Sequence, residues 1–307
     1  MRAGGHVAPY IPVMIHIERA RRSATSLPGF LVLAVVALTT AGATPARSAA
    51  QVAARDTAGV SGRHALLTRR DIAAVALLGA TTIALLPADR HIAEEVRDPG
   101  PQRSTVLEEG ARAFNFLGDP GTLVLGVATY GVGRVVRSPR LTDVGLHTTE
   151  AIVLSGAATG LLKGLLGRQR PYVEAGDADD FALGSGFRNG RRASLPSGHT
   201  TAAFATAAAV TEETGRWWPH APRFVGPVLY GGASLVGLAR MYDDKHWASD
   251  VVLGAGIGTL AGLSVVRYNH DRPRNRLDRW LGVSSLVPTV TPTGDGAVGL
   301  AWNASIR

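Results

Sequence analysis

The sequence predicts an all-α fold: a bundle of about six core helices, either membrane-embedded or soluble, with a small β-hairpin at its C-terminus. Three observations lead there. Apolar segments recur at about 72–88, 119–136, 147–167, 199–211, 222–240 and 249–267, all longer than twelve residues. Their Ala, Gly, Leu and Val show little of the period-two alternation of a half-buried strand. Stretches carrying Pro, Gly and charge separate them at 89–104, 137–143 and 173–194, as connections require. The last stretch, 284–307, has short β-prone runs on either side of Asp295-Gly296, a hairpin signal.

Ahead of the bundle, residues 1–50 read as a signal peptide or N-terminal anchor. Basic residues in "ERARRSATS" (18–26) precede the apolar "LPGFLVLAVVALTTAGA" (27–43), and "TPARSAAQ" (44–51) supplies the small residues of a cleavage site. Met14 as the start would give this leader ordinary proportions. Either reading sends the chain to a bacterial cell membrane or the periplasm. Residues 51–70 form a polar lead-in, 71–282 the helical domain and 283–307 a short β-prone tail.

Several segments approach the ~20 residues that a membrane span needs. They hold more Ala and Gly than strong membrane formers, so the sequence leaves bilayer and soluble bundle both open. The side of the membrane is open too. If every segment after a cleaved leader crosses, the loop after 147–167 falls on the cytoplasmic side, whereas an exported hydrolase would want it outside; the basic stretch 267–280 suits a cytoplasmic end.

A formal charge of +8, mostly from arginine, suits phosphate-bearing partners, whether nucleic acid, anionic lipid or small phosphoesters. Cysteine is absent, which excludes disulfides, a thiolate nucleophile and any Cys-based zinc site.

Three stretches carry chemistry. In "KGLLGRQRPY" (163–172), Lys163 and Arg170 lie seven apart, so a continuous helix closed by Pro171 would present both cations on one face. An apolar helix tolerates such a pair when an anion neutralises it, or when the ends snorkel to a boundary. In "SLPSGHTTAAFA" (194–205), Pro196, Ser197 and Gly198 make a tight turn into a helix. The free N–H groups there form a phosphate cradle, Gly198 allows close backbone approach, and Ser197 suits an N-cap. His199 would stand beside any anion held at that turn. In "ARMYDDKHWASD" (239–250), His246 and Asp250 are spaced i, i+4. The carboxylate can fix the imidazole tautomer and leave the other ring nitrogen free for attack or base catalysis. Arg240 supplies a guanidinium fork, while Asp243, Asp244 and Lys245 read as a solvated loop.

In this order, Lys163-x6-Arg170-Pro171, Pro196-Ser197-Gly198-His199 and Arg240-x5-His246-x3-Asp250 resemble the three-part signature of the type 2 phosphatidic acid phosphatase (PAP2) family. That family shares its site with class A acid phosphatases and vanadium haloperoxidases. The resemblance spans about residues 145–265. One position departs, because the third motif usually begins Ser-Arg and here reads Ala239-Arg240.

The resemblance implies a phosphatase in which Lys163, Arg170, Arg240, Ser197 and Gly198 bind the phosphoryl oxygens. His246 would be the nucleophile, Asp250 its orienting partner and His199 the general acid-base. It further implies no cofactor and no metal, a phosphorylated lipid or small phosphoester as substrate, membrane contact and no nucleic acid. A soluble periplasmic acid phosphatase, a vanadium haloperoxidase and a non-catalytic lipid-binding protein on the same scaffold are the alternatives. "GAGIGTLAG" (254–262) echoes a dinucleotide-binding loop, but no strand precedes it, so small-residue helix packing is expected.

Overall fold

The computed structural model describes residues 69–271, apart from 175, and the backbone of two strands near the C-terminus. The leader and most of the lead-in lie outside the described residues. Among the described residues, eight helices of eight residues or more build the body: α1 Arg69–Leu85, α2 Asp89–Val96, α3 Thr105–Phe116, α4 Thr122–Val135, α5 Pro139–Leu166, α6 Gly198–Trp217, α7 Pro222–Tyr242 and α8 Ala248–Asp271. β1 (Thr289–Pro292) and β2 (Val298–Ala301) pair antiparallel with Thr289 opposite Ala301, forming the expected hairpin.

The six apolar segments each became a long helix, but two expected connections are largely helical. Stretch 89–104 contains α2, whose few apolar residues share one stripe: Ile92 is buried and Val96 packs beside it against Leu78 and Met241. A short helix with so little apolar surface escapes a search for long apolar runs. Stretch 137–143 is mostly the first turns of α5, which begins at Pro139 behind Ser138, whose hydroxyl accepts the Leu141 N–H at 3.5 Å. Serine before proline is a start signal, N-cap then first turn.

Helix α6 is the central element, with Ala203, Phe204, Ala205, Ala207, Ala208 and Ala209 all buried. Its alanines let α8 come close. A methyl added at Gly254 would sit 2.6 Å from the Ser197 carbonyl oxygen, and one at Gly262 would sit 2.6 Å from the Ala208 Cβ. The "GAGIGTLAG" stretch is therefore a helix-packing face, as expected. That approach also fixes the Pro-Ser-Gly-His turn against the start of α8.

Four stretches are long and apolar enough to cross a membrane: Asp71–Val96, Pro139–Leu166, Pro222–Tyr242 and Ala248–Asp271. Outward-facing apolar side chains include Leu77 and Ile83 on α1, Val124 on α4, Val153 on α5, and Phe224 and Val228 on α7. Water penalises apolar surface spread over so many helices, whereas lipid does not. By length and composition these helices suit a bilayer. The C-terminal ends of α5 and α7 meet the N-terminal ends of α6 and α8 at one end of the bundle, where the chemistry-bearing residues gather.

Candidate active site

Lys163 stands one turn before the end of α5, and its Nζ donates to the carbonyl oxygens of Ala193 at 2.7 Å and Ser194 at 3.2 Å. The shared helix face expected for Lys163 and Arg170 is not found. Helix α5 stops at Leu166, because Gly167 takes the left-handed conformation (φ 61°) that ends helices, four residues before Pro171. Arg170 instead lies on the following loop, and the loop brings it back. Its guanidinium donates to the carbonyls of Gly190 (3.0 Å), Ala193 (3.2 Å) and Lys245 (3.2 Å). Lys163 and Arg170 thus converge on one carbonyl by loop geometry, not by helical periodicity.

Ser197 occupies the N-cap position of α6, but its hydroxyl contacts the Thr200 hydroxyl at 2.8 Å and makes no cap bond to a backbone N–H. Its own N–H donates to the Asp250 carbonyl at 2.9 Å, tying the turn to α8. A methyl at Gly198 would meet only Lys163 Cε at 3.8 Å, so the space above this helix start is open and faces a cation. A phosphate fits such a start.

His199 follows in the first turn. Burial, then the nearby Arg240, lowers its imidazole to about 4, with Lys163 and Arg170 adding to the effect and Asp119 opposing it. Arg240, at the end of α7, donates from Nη1 to Asn115 Oδ1 at 2.9 Å, and its Nε is buried without a partner.

His246 precedes α8 rather than lying on it, and its side chain is 2% exposed. Its Nδ1 lies 3.4 Å from Asp250 Oδ2, the expected atom pair, within ion-pair reach but not aligned as a hydrogen bond. Asp250 is occupied elsewhere: Oδ2 accepts from the Ser194 hydroxyl (2.5 Å) and the Trp247 N–H (2.9 Å), and Oδ1 from Arg168 (2.8 Å). Burial holds the His246 imidazole down at about 3 in spite of Asp250, so its ring is neutral at neutral pH.

All eight residues singled out in the sequence therefore stand at one end of the bundle, and the segment that carries them, residues 145–274, matches the model of the PAP2 superfamily. That segment is similar to the PAP2 superfamily. Lipid A 1-phosphatase of Porphyromonas gingivalis is 42% identical over 69 residues, 22% of this chain and 15% of the relative, so the alignment spans under a sixth of that protein's length. The crystal structure of a transmembrane PAP2-type phosphatidylglycerolphosphate phosphatase from Bacillus subtilis superposes with a TM-score of 0.48 at 18% identity, covering 66% of this chain and 97% of the other.

Four further residues support this candidate site, and the motifs did not reveal them. Arg168 sits inside the first motif with no exposure. It donates to Asp89 Oδ2 at 2.7 Å, Asp250 Oδ1 at 2.8 Å and the Ser249 hydroxyl at 2.7 Å, between the rings of Phe181 and Trp247. Asp89 lies outside the matched segment, at the start of α2, and also accepts the Ser249 N–H at 2.8 Å. Ser194 holds Asp250 as described. Asn115, at the end of α3, links Arg240 to Asp243, its Nδ2 donating to Asp243 Oδ2 at 2.5 Å. Asp243 is therefore a half-buried part of the Arg240 support instead of a solvated loop residue. Its neighbours are partnered too: Asp244 pairs with Arg97 at 2.9 Å and Lys245 lies over the Tyr172 ring. Only the position of Arg168 between two motif cations hinted at any of this.

At Ala239 the departure from the usual serine leaves a buried methyl with no hydroxyl to offer, while its carbonyl accepts the Asp243 N–H at 3.0 Å. From Lys163 and Gly198 a cavity of about 210 Å³ runs between helices, walled by Thr122, Ile152, Gly156 and Ala202. Lys163 and the Asp119 carboxylate both line it, and its other walls are small or apolar.

Proposed function

We propose that the chain is a phosphatase acting on a phosphorylated lipid. The observation that carries this reading is the convergence of Lys163, Arg170 and Arg240 around two buried imidazoles, with no carboxylate in ion-pair contact with any of the three cations among the described residues. Guanidinium groups held by neutral carbonyl and amide oxygens keep their charge for a guest anion. The cavity supports a lipid over a small phosphoester, because a headgroup at Lys163 and Gly198 would leave its apolar part between α4, α5 and α6, beside outward-facing apolar surface. The match to the PAP2 family model and the name of one relative, a lipid A 1-phosphatase, agree with this class.

In the mechanism, the three cations and the N–H groups at the start of α6 hold the phosphoryl oxygens and stabilise the charge that builds on them. With its Nδ1–H toward Asp250, His246 presents the Nε2 lone pair to phosphorus. An N–P bond forms as the ester P–O bond breaks, and His199 passes its proton to the departing oxygen. His199 then takes a proton from water, which attacks phosphorus, and the N–P bond breaks to release inorganic phosphate. Ser197 adds its backbone and Asp250 keeps the His246 ring oriented. Residues 71–282 would form this phosphatase domain behind an export leader or anchor in 1–50.

The test is phosphate release from phosphatidic acid, an isoprenyl diphosphate and p-nitrophenyl phosphate, by the wild type and His246→Ala in parallel. Turnover of a lipid substrate that vanishes in the variant is expected. Full turnover by His246→Ala overturns the mechanism, and turnover of p-nitrophenyl phosphate alone overturns the lipid assignment.

A further inference from the structure

At the end of the bundle away from the phosphate site, three helices each contribute one donor to a shared point. His147 comes from the third turn of α5, Glu213 from the last turns of α6 and His270 from the end of α8. Glu213 Oε1 accepts from His147 Nδ1 at 2.5 Å and from His270 Nε2 at 2.9 Å. One ligand atom from each residue lies within 4.8 Å of the other two. The Glu213 side chain has no exposure, His147 has 7% and His270 has 28%.

A buried carboxylate needs a positive partner. Among the described residues no Lys or Arg pairs with Glu213, although arginines stand nearby on the same helices: Arg216 faces Glu212, and Arg267 pairs with Asp71. Among the described residues the side chains hydrogen-bonded to it are two imidazoles, which share Oε1, with His270 Nε2 also 3.1 Å from Oε2. Protons between these three groups satisfy the arrangement, but so does a cation that replaces them, since each neutral imidazole and the carboxylate has a lone pair directed inward. Two imidazole nitrogens and one carboxylate oxygen are the donor set of borderline divalent ions, zinc foremost, with a further position left for water. The partly exposed His270 side offers the opening through which the ion and that water arrive.

We infer that His147, Glu213 and His270 form a divalent-metal site that pins α5, α6 and α8 together at this end of the bundle. It is separate from the phosphoryl chemistry, and its test does not depend on that reading.

The test uses the full chain without an affinity tag, in detergent micelles, stripped with a chelator, supplied with one equivalent of zinc and desalted. Elemental analysis should find about one zinc per chain, and zinc should raise the melting temperature of the stripped protein. Cobalt in place of zinc should give the visible absorption of a low-coordinate nitrogen–oxygen site. Glu213→Gln and His147→Asn should abolish retention. Because those buried changes can disturb folding, His270→Gln at the rim is the deciding variant: it should melt like the stripped wild type and no longer respond to zinc. His199→Gln, in the other histidine-bearing site, should retain the ion. A wild type that holds no zinc above background and melts unchanged overturns the site, as does zinc that is kept by His270→Gln and lost by His199→Gln.

Discussion

At one end of the bundle, Lys163, Arg170 and Arg240 are held by carbonyl oxygens and one side-chain amide. At the other, Glu213 is held by two imidazoles. Each end buries charge of mainly one sign, and neither neutralises it with the Arg–carboxylate pair that proteins ordinarily use. Such a pair does exist between them in sequence, where Arg168 lies against Asp89 and Asp250. The contrast separates groups that keep the protein folded from groups held ready for something else. A cation satisfied by neutral oxygens retains its field, whereas one satisfied by two carboxylates has largely spent it.

The sharpest way to break this comparison is to remove the nucleophile and leave the cations. His246→Ala should lower turnover on the order of 10⁴-fold or more, as removal of a covalent nucleophile does, while inorganic phosphate still raises the melting temperature. Loss of phosphate protection together with turnover would mean that the cations do not act without the imidazole.

His199→Ala comes next, with a loss of roughly 10²–10⁴-fold, and pH sharpens it. As a general acid His199 works only when protonated, yet in the empty site burial and Arg240 hold it at about 4. A free imidazole titrates near ~6.5; the surroundings of His199 shift it to the acid side. A bound phosphate ester offsets those cations and raises the imidazole again. The proton thus arrives with the substrate, so kcat/KM should fall above about pH 6, where the second phosphate proton leaves. The kcat profile should hold to higher pH, and its alkaline limb should vanish in His199→Ala. Coincident alkaline limbs for the two wild-type profiles would refute this.

Arg168 tests the other side of the comparison, because its charge is spent on structure. Arg168→Leu leaves Asp89 and Asp250 buried without their cation, and should cost about 3–5 kcal/mol of stability. Unfolding measured in detergent checks the value. A loss of activity at unchanged stability would instead make Arg168 a member of the anion site.

These residues also mark what the sequence could reveal. Long apolar runs betray the long helices, because such runs have few other uses. The eight candidate residues could be singled out because spacing within three short motifs is a local property. Arg168, Asp89 and Asn115 were not, since their partners lie 79, 82 and 125 residues away or more and no local pattern encodes such distances. The helix expected to join Lys163 to Arg170 failed for a local reason, a glycine at 167 that ends the helix early.

Asn115 offers the smallest effect and the finest discrimination. Its Oδ1 accepts from Arg240 Nη1 and its Nδ2 donates to Asp243, so it sets the fork while keeping the nearest carboxylate one residue removed. Hydrogen bonds to charged groups contribute about 1.5–3 kcal/mol. Their loss in Asn115→Ala, partly recovered by water, should weaken inhibition by inorganic phosphate roughly tenfold, since about 1.4 kcal/mol is tenfold in an equilibrium constant. The alkaline limb of kcat should not move, because neither imidazole touches Asn115. An unchanged phosphate inhibition constant would mean that Arg240 is positioned by α7 alone. A shifted limb would mean that Arg240 has moved against His199, the cation that lowers that imidazole most.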